Sequence, residues 1–148
     1  MRGLAIRIGI IAVIVVIGLI ARDFVGGNAG DLKVGDCFDL PSSSSTTVKD
    51  VQHHPCDQDH RAEVFFVGDY PGSKSDPLPS EDQFTAFIIE SCGPAYKAYT
   101  GTDVTAQAIY DVNAFFPLAD GWTKGDQSVT CFLFRVDEGT YKGSAKKT

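Results

Sequence analysis

Ser80-Glu-Asp-Gln-Phe-Thr-Ala-Phe-Ile-Ile-Glu-Ser-Cys-Gly-Pro-Ala-Tyr-Lys-Ala-Tyr-Thr-Gly101 is the stretch on which the fold turns. Ser80 is a natural N-cap and Gln83 stands at the capping-box position. Glu81 and Asp82 put negative charge in the first turn, where backbone N–H groups lack partners. Phe84, Phe87, Ile88, Ser91, Cys92, Ala95 and Tyr99 recur at helical spacing and predict one buried stripe. Pro94 has no N–H for the carbonyl of Glu90, so the helix should kink or split at Gly93-Pro94. Gly101 suits the left-handed residue that ends a helix.

On either side the pattern changes from helical to alternating. Ala62–Tyr70 is the clearest strand, with Val64 and Phe66 on one face and Phe65 and Val67 on the other. Apolar residues on both faces predict a strand covered on both sides. Lys33–Leu40 and Thr47–His53 read as strands around the polar Ser42–Thr47 loop, and Ala106–Val112, Ser128–Val136 and Thr140–Ser144 as strands after the helix. Pro71-Gly72, Pro77 and Pro79 enforce a loop before Ser80. Asp120-Gly121 and Lys124-Gly125-Asp126 supply turns around Trp122, the single tryptophan. This order implies an α+β domain, mainly antiparallel sheet, with one long kinked helix packed on a face.

Four cysteines, Cys37, Cys56, Cys92 and Cys131, fit an oxidising compartment and two disulfides. They allow three pairings. Cys37 and Cys56 flank the expected hairpin, whereas Cys92 lies on the helix stripe and Cys131 in the most apolar strand. That layout favours Cys37–Cys56 and Cys92–Cys131, each worth roughly 3–4 kcal/mol in the chain-entropy model. No Cys-x-x-Cys pair is present, so a structural frame is expected rather than redox catalysis.

Arg2 and Arg7 precede Ile8–Ala21, an uncharged apolar run of fourteen residues. It would rise about 21 Å as a helix, short of a hydrocarbon core of about 30 Å. Leu4–Ile6 and Phe24–Val25 extend it if Arg7 and Arg22 snorkel. A run apolar all round does not suit a soluble helix. Val25-Gly26-Gly27 would be a passable cleavage site, yet Leu19 disfavours cutting nearer the run. We therefore expect a signal-anchor over residues 1–25, a short glycine-rich tether over 26–31 and one domain over 32–145. Three basic residues and Asp23 precede residue 31, leaving ten basic against eighteen acidic residues and a net charge of −8 beyond it. This acidity argues against nucleic acid and anionic lipid surfaces as partners. By the positive-inside rule the N-terminus is cytoplasmic and the domain extracytoplasmic.

Chemistry has few footholds. His53, His54, Cys56, Asp57, Asp59, His60 and Glu63 are the densest set of potential ligands, but their spacing matches no established metal signature. Gly68–Ser75 imitates a phosphate loop with a misplaced glycine, and Pro77 and Pro79 block the helix that must follow, so no nucleotide is expected. No nucleophile elbow, zincin motif or Ser-x-x-Lys is present. No catalytic residue, metal or cofactor is therefore assigned. His60, Glu63 and Trp122 are the candidate structural or binding residues, with Trp122 either a core lid or an exposed anchor.

These landmarks together resemble the septum formation family, small domains of bacterial, mostly actinobacterial, membrane proteins. The resemblance is carried by Leu32, Gly35-Asp36-Cys37-Phe38, Val48, Val51, Cys56 and His60-x-Ala62-Glu63-Val64-Phe65. It continues through Cys92, Tyr99, Gly101, Trp122, Gly125-Asp126, Val129, Cys131 and Gly143-Ser144. It implies an envelope role linked to division or wall assembly, with envelope or division proteins as partners, and no catalytic residue. The expected function is a membrane-anchored, non-enzymatic interaction or scaffold module. The alternative is a metal- or ligand-dependent envelope enzyme using the His60/Glu63 region.

The charge bias makes a testable statement about topology. Alkaline phosphatase fused after Thr148 should be active and green fluorescent protein at the same place dark, and the reverse result would refute an exported domain.

Overall fold

The computed structural model describes residues 26–40, 50–106 and 108–148. The expected anchor over residues 1–25 and the Ser42–Thr47 loop lie outside them, as does the start of the strand expected from Thr47. Among the described residues no helix is long and apolar enough to cross a membrane. The strands are β1 (Gly26–Asn28), β2 (Cys37–Asp39), β3 (Asp50–His54), β4 (Ala62–Asp69), β5 (Tyr110–Phe115) and β6 (Ser128–Arg135). They form one antiparallel sheet in the order β1-β3-β2-β4-β6-β5. The long helix divides into α1 (Glu81–Phe87), a wide π turn (Ile88–Cys92) and α2 (Gly93–Thr100), and a short α3 (Ala119–Trp122) precedes β6.

The helix obeys its end signals. Ser80 and Gln83 form a reciprocal capping box, Gln83 N–H to Ser80 Oγ at 3.3 Å and Ser80 N–H to Gln83 Oε1 at 2.8 Å. Gly101 closes the helix at φ +80°, its N–H donating to the Lys97 carbonyl. Gly93 N–H donates to the Ile88 carbonyl five residues back, so the turn before Pro94 carries one extra residue. That residue corrects the expected stripe. Continued from Phe84 at 3.6 residues per turn, the stripe would reach Ser91, Ala95 and Ala98. Advanced by one, it reaches Cys92, Tyr96 and Tyr99, the residues of this half that are buried. Tyr96 was absent from the expected stripe because the turn width cannot be read from spacing.

A β-bulge in β4 makes a second correction. Val64 pairs with Phe132 and Phe66 with Cys131, leaving Phe65 as the extra residue. Phe65 and Phe66 consequently both pack on the helix side, Phe65 against Tyr96 (ring centroids 5.5 Å) and Phe66 toward Phe87 (6.3 Å). Val64 and Phe66, expected to share a face, lie on opposite ones. Gly68 gives the Phe66 ring room, since a Cβ there would come within 2.7 Å of the ring tip and push it aside.

The sheet is covered on both faces, as the apolar pattern of β4 required. The helix side holds Phe65, Cys92, Tyr96, Val129, Cys131 and Leu133. The other side holds Leu32, Phe38, Val51, Val64 and Phe132, with Phe38 set edge-on against Phe132 at 5.4 Å. Residues 26–31, expected to be a tether, instead add β1 and a 3-10 turn that buries Ala29. Backbone pairing asks nothing of a glycine side chain, so the flexible-looking composition concealed a strand. The strand expected at Ala106–Val112 lies later, at Tyr110–Phe115, after a 3-10 turn at Val104–Ala106. Thr140–Ser144 forms no strand and contributes one bridge, Tyr141 to His60.

Both disulfides follow the favoured pairing: Cys37–Cys56 across 19 residues and Cys92–Cys131 across 39. The first joins β2 to the loop after β3, the second the π turn to β6. Loop length gives about 3 and about 4 kcal/mol respectively. Replacing Cys92 and Cys131 together by serine should therefore lower the denaturation midpoint further than replacing Cys37 and Cys56 together. Both Cys92 and Cys131 are fully buried, so the added hydroxyls would also lack water. Equal midpoints would contradict this ordering.

Candidate functional site

Register brings the candidate residues together. Cys37 on β2 pairs with Glu63 on β4, and His60 sits just before β4, bridged to Tyr141. His60 and Glu63 have no solvent exposure, and Cys37 has almost none. Alternation places Glu63 on the face of Phe65 and not on that of Val64. It points inward because it precedes Phe65 by two residues on the helix side of β4.

The Glu63 carboxylate accepts three hydrogen bonds. Tyr99 O–H donates to Oε1 at 2.6 Å, the Ser144 hydroxyl donates to the same oxygen, and Ala145 N–H donates to Oε2 at 2.7 Å. Burial, then the bond to Glu63, pushes the Tyr99 hydroxyl above the usual tyrosine range. Tyr110 and Tyr141 are raised too, first by burial and next by the Glu63 charge. Three phenols are thereby held neutral around one carboxylate.

His60 is fixed by its surroundings. Its Nδ1 lies 2.9 Å from the Gln58 carbonyl, which can only accept, so Nδ1 carries the proton. Nε2 is buried and has no hydrogen-bond partner among the described residues, and the same is true of Tyr141 Oη. The two rings meet edge to face at 4.2 Å. A His60 ring nitrogen, a Glu63 oxygen and Cys37 Sγ all lie within 4.8 Å of one another.

The C-terminal segment closes this cluster. Tyr141 exchanges backbone bonds with His60, Gly143 N–H donates to the Cys56 carbonyl at 2.6 Å, and Lys147 N–H donates to the Tyr99 carbonyl at 2.9 Å. Lys146 Nζ rests 5.9 Å from the Tyr99 ring centre. Tyr99 already belonged to the helix stripe. Tyr141 and Ser144 fell in the strand expected at Thr140–Ser144, and nothing in that pattern pointed to Glu63, because a strap is placed by its partners.

The other expected ligands disperse. His54 Nε2 lies 3.0 Å from Asp39 Oδ2, and Asp59 faces Lys142 at 3.6 Å. His53 lies opposite Phe38, and Asp57 is exposed. Trp122 is a lid. It is 2% exposed, donates from Nε1 to the Asp76 carbonyl at 2.8 Å and packs against Tyr70. Two open concavities, of about 770 and 500 Å³, lie elsewhere, one beside Phe116 and Leu118 and one beside Ile88 and Pro94. Neither is lined by His60, Glu63 or Cys37.

A family model for septum formation matches residues 34–147. The chain belongs to the septum formation family. The match contains both disulfides, His60, Glu63 and the closing Ser144, so the whole buried cluster lies within the septum formation domain. Comparison with curated proteins and with solved structures gave no match.

The geometry makes Glu63 the hub of the cluster. Glu63→Gln leaves one carbonyl oxygen for three donors: held on Ala145 N–H, it turns the N–H₂ toward the Tyr99 and Ser144 hydroxyls, which lose their charged acceptor. The expected loss is about 1–3 kcal/mol, read from denaturation midpoints, together with faster proteolysis after Lys142. Unchanged stability would show that the strap does not depend on Glu63.

Proposed function

We propose that this septum formation domain is a non-enzymatic interaction module, held at the outer face of the membrane and acting in septum formation or wall assembly during division. The observation that carries this reading is the burial of His60 and Glu63, with both Glu63 oxygens taken by donors of the chain itself. A substrate would have to displace Tyr99, Ser144 and the strap to reach them. A binding module needs a rigid body, and two bridges with a covered sheet supply one. The apolar run at Ile8–Ala21 supports attachment to the membrane, and the net charge of −8 beyond residue 31 supports a protein partner over nucleic acid.

A red fluorescent protein that matures outside the cytoplasm, fused after Thr148, should concentrate at the division septum, and even labelling of the whole envelope would refute the septal role. His60→Ala should harm function only as far as it lowers stability and abundance. If that variant kept wild-type stability and abundance yet lost function, the cluster would be a working site and the scaffold reading would fall.

A further inference from the structure

The buried cluster carries a feature that packing does not explain. His60 is held as though to present a lone pair: Nδ1–H is anchored on the Gln58 carbonyl, and Nε2 is buried with no partner among the described residues. A backbone carbonyl on one ring nitrogen is the arrangement that orients the other toward a metal. Within 4.8 Å of a His60 ring nitrogen lie the Cys37 sulfur and a Glu63 carboxylate oxygen. Cys37 Sγ is bound to Cys56, and a disulfide sulfur is a poor ligand whereas a thiolate is a strong one.

We propose that reduction of the Cys37–Cys56 bridge converts this cluster into a closed zinc site held by Cys37, Cys56, His60 and Glu63. The two bridges differ in access. Cys56 is half-buried, whereas Cys92 and Cys131 are both fully buried, so a reductant reaches the first bridge and not the second. A dithiol reductant attacks Cys56 Sγ as its thiolate, and the Cys56–Cys37 bond breaks to expel the Cys37 thiolate beside His60. The second thiol of the reductant then displaces Cys56, leaving the reductant oxidised to its disulfide and the chain reduced by two electrons. Zinc binding keeps both cysteines as thiolates and releases their protons to solvent.

Two thiolates, an imidazole and a carboxylate form a tetrahedral set suited to zinc, and four protein ligands make the site structural rather than catalytic. Ligand atoms in such a site lie about 3.4–3.8 Å apart, so Cys37, His60 and Glu63 must close by roughly 1 Å, and Cys56, outside that trio, must swing in to join them. Opening the bridge frees Cys37 and Cys56 to make that movement. Glu63 Oε2 accepts one bond in the structure, from Ala145, and keeps a lone pair for the metal. This inference does not rest on the interaction-module reading, since a closed structural zinc is compatible with either function.

The test uses the full chain in detergent, reduced with a phosphine, which becomes the phosphine oxide. Peptide mapping checks that Cys92–Cys131 remains intact. Added cobalt(II) should bind stoichiometrically with an intense thiolate charge-transfer band, and zinc should displace it, whereas the oxidised chain should show neither. His60→Ala should weaken binding at least about tenfold. Because that variant also removes a buried packing group, Cys56→Ser provides a second test: it frees Cys37 without reductant and should give a charge-transfer band directly. The proposal is overturned by a reduced chain without stoichiometric binding, or by binding that His60→Ala leaves unchanged. Absence of the band in Cys56→Ser, or a reduced chain that unfolds and is not restored by zinc, overturns it equally. Stoichiometric zinc on the oxidised chain would remove the need for reduction and overturn it as well.

Discussion

A carboxylate with no solvent exposure sits at the centre of this domain, and the elements around it are arranged to satisfy it. Burying an ionised carboxyl without partners would cost several kcal/mol, comparable to the whole stability of a small domain. Glu63 escapes that cost because Tyr99 arrives from the end of α2 and Ser144 and Ala145 arrive from the C-terminal strap. Each donor fixes the element that bears it. The helix end cannot slide along β4 without losing the phenol, and the strap cannot lift without stranding Oε2 and leaving Oε1 to Tyr99 alone. One polar residue thus sets the register among three separate parts of the chain.

The apolar layers and the bridges complete what the carboxylate begins. On the helix side, Cys92–Cys131 ties the π turn to β6 directly over the layer that contains Phe65 and Tyr96. The π turn and the bulge in β4 are each an inserted residue, and the two insertions face one another: one brings Tyr96 inward, the other turns Phe65 to meet it. Neither irregularity would be favourable alone, and together they produce an edge-to-face aromatic contact at the centre of the core. On the opposite face, Ala29 and Leu32 pack with Phe38 and Val51, and β1 pairs with β3, so residues 26–32 belong to the folded body.

For a member of the septum formation family, this construction separates framework from surface. His60, Glu63 and Trp122, the residues most suggestive of chemistry in the sequence, are all spent inside the molecule. The two concavities are formed by other residues, among them Phe116, Leu118, Ile88 and Pro94. His60 Nε2 and the hydroxyl of the adjacent Tyr141 are buried within this framework without a hydrogen-bond partner among the described residues.

Local chemistry was legible in the sequence. The capping box at Ser80 and Gln83, the stop at Gly101, the break at Pro94 and the strand at Ala62 depend on neighbours within a few residues, and each appears where those neighbours require it. The cysteine pairing was legible once the stripe and the strand were placed, because only Cys92 and Cys131 faced one another across helix and sheet. What the sequence alone could not decide was anything that depends on a single inserted residue or on a distant partner. Spacing cannot distinguish an α turn from a π turn, so Tyr96 was missed, and alternation cannot announce a bulge, so Phe66 was assigned to the wrong face. The destination of Ser144 was decided by Glu63, 81 residues away, because a buried carboxylate must find donors wherever in the chain they lie.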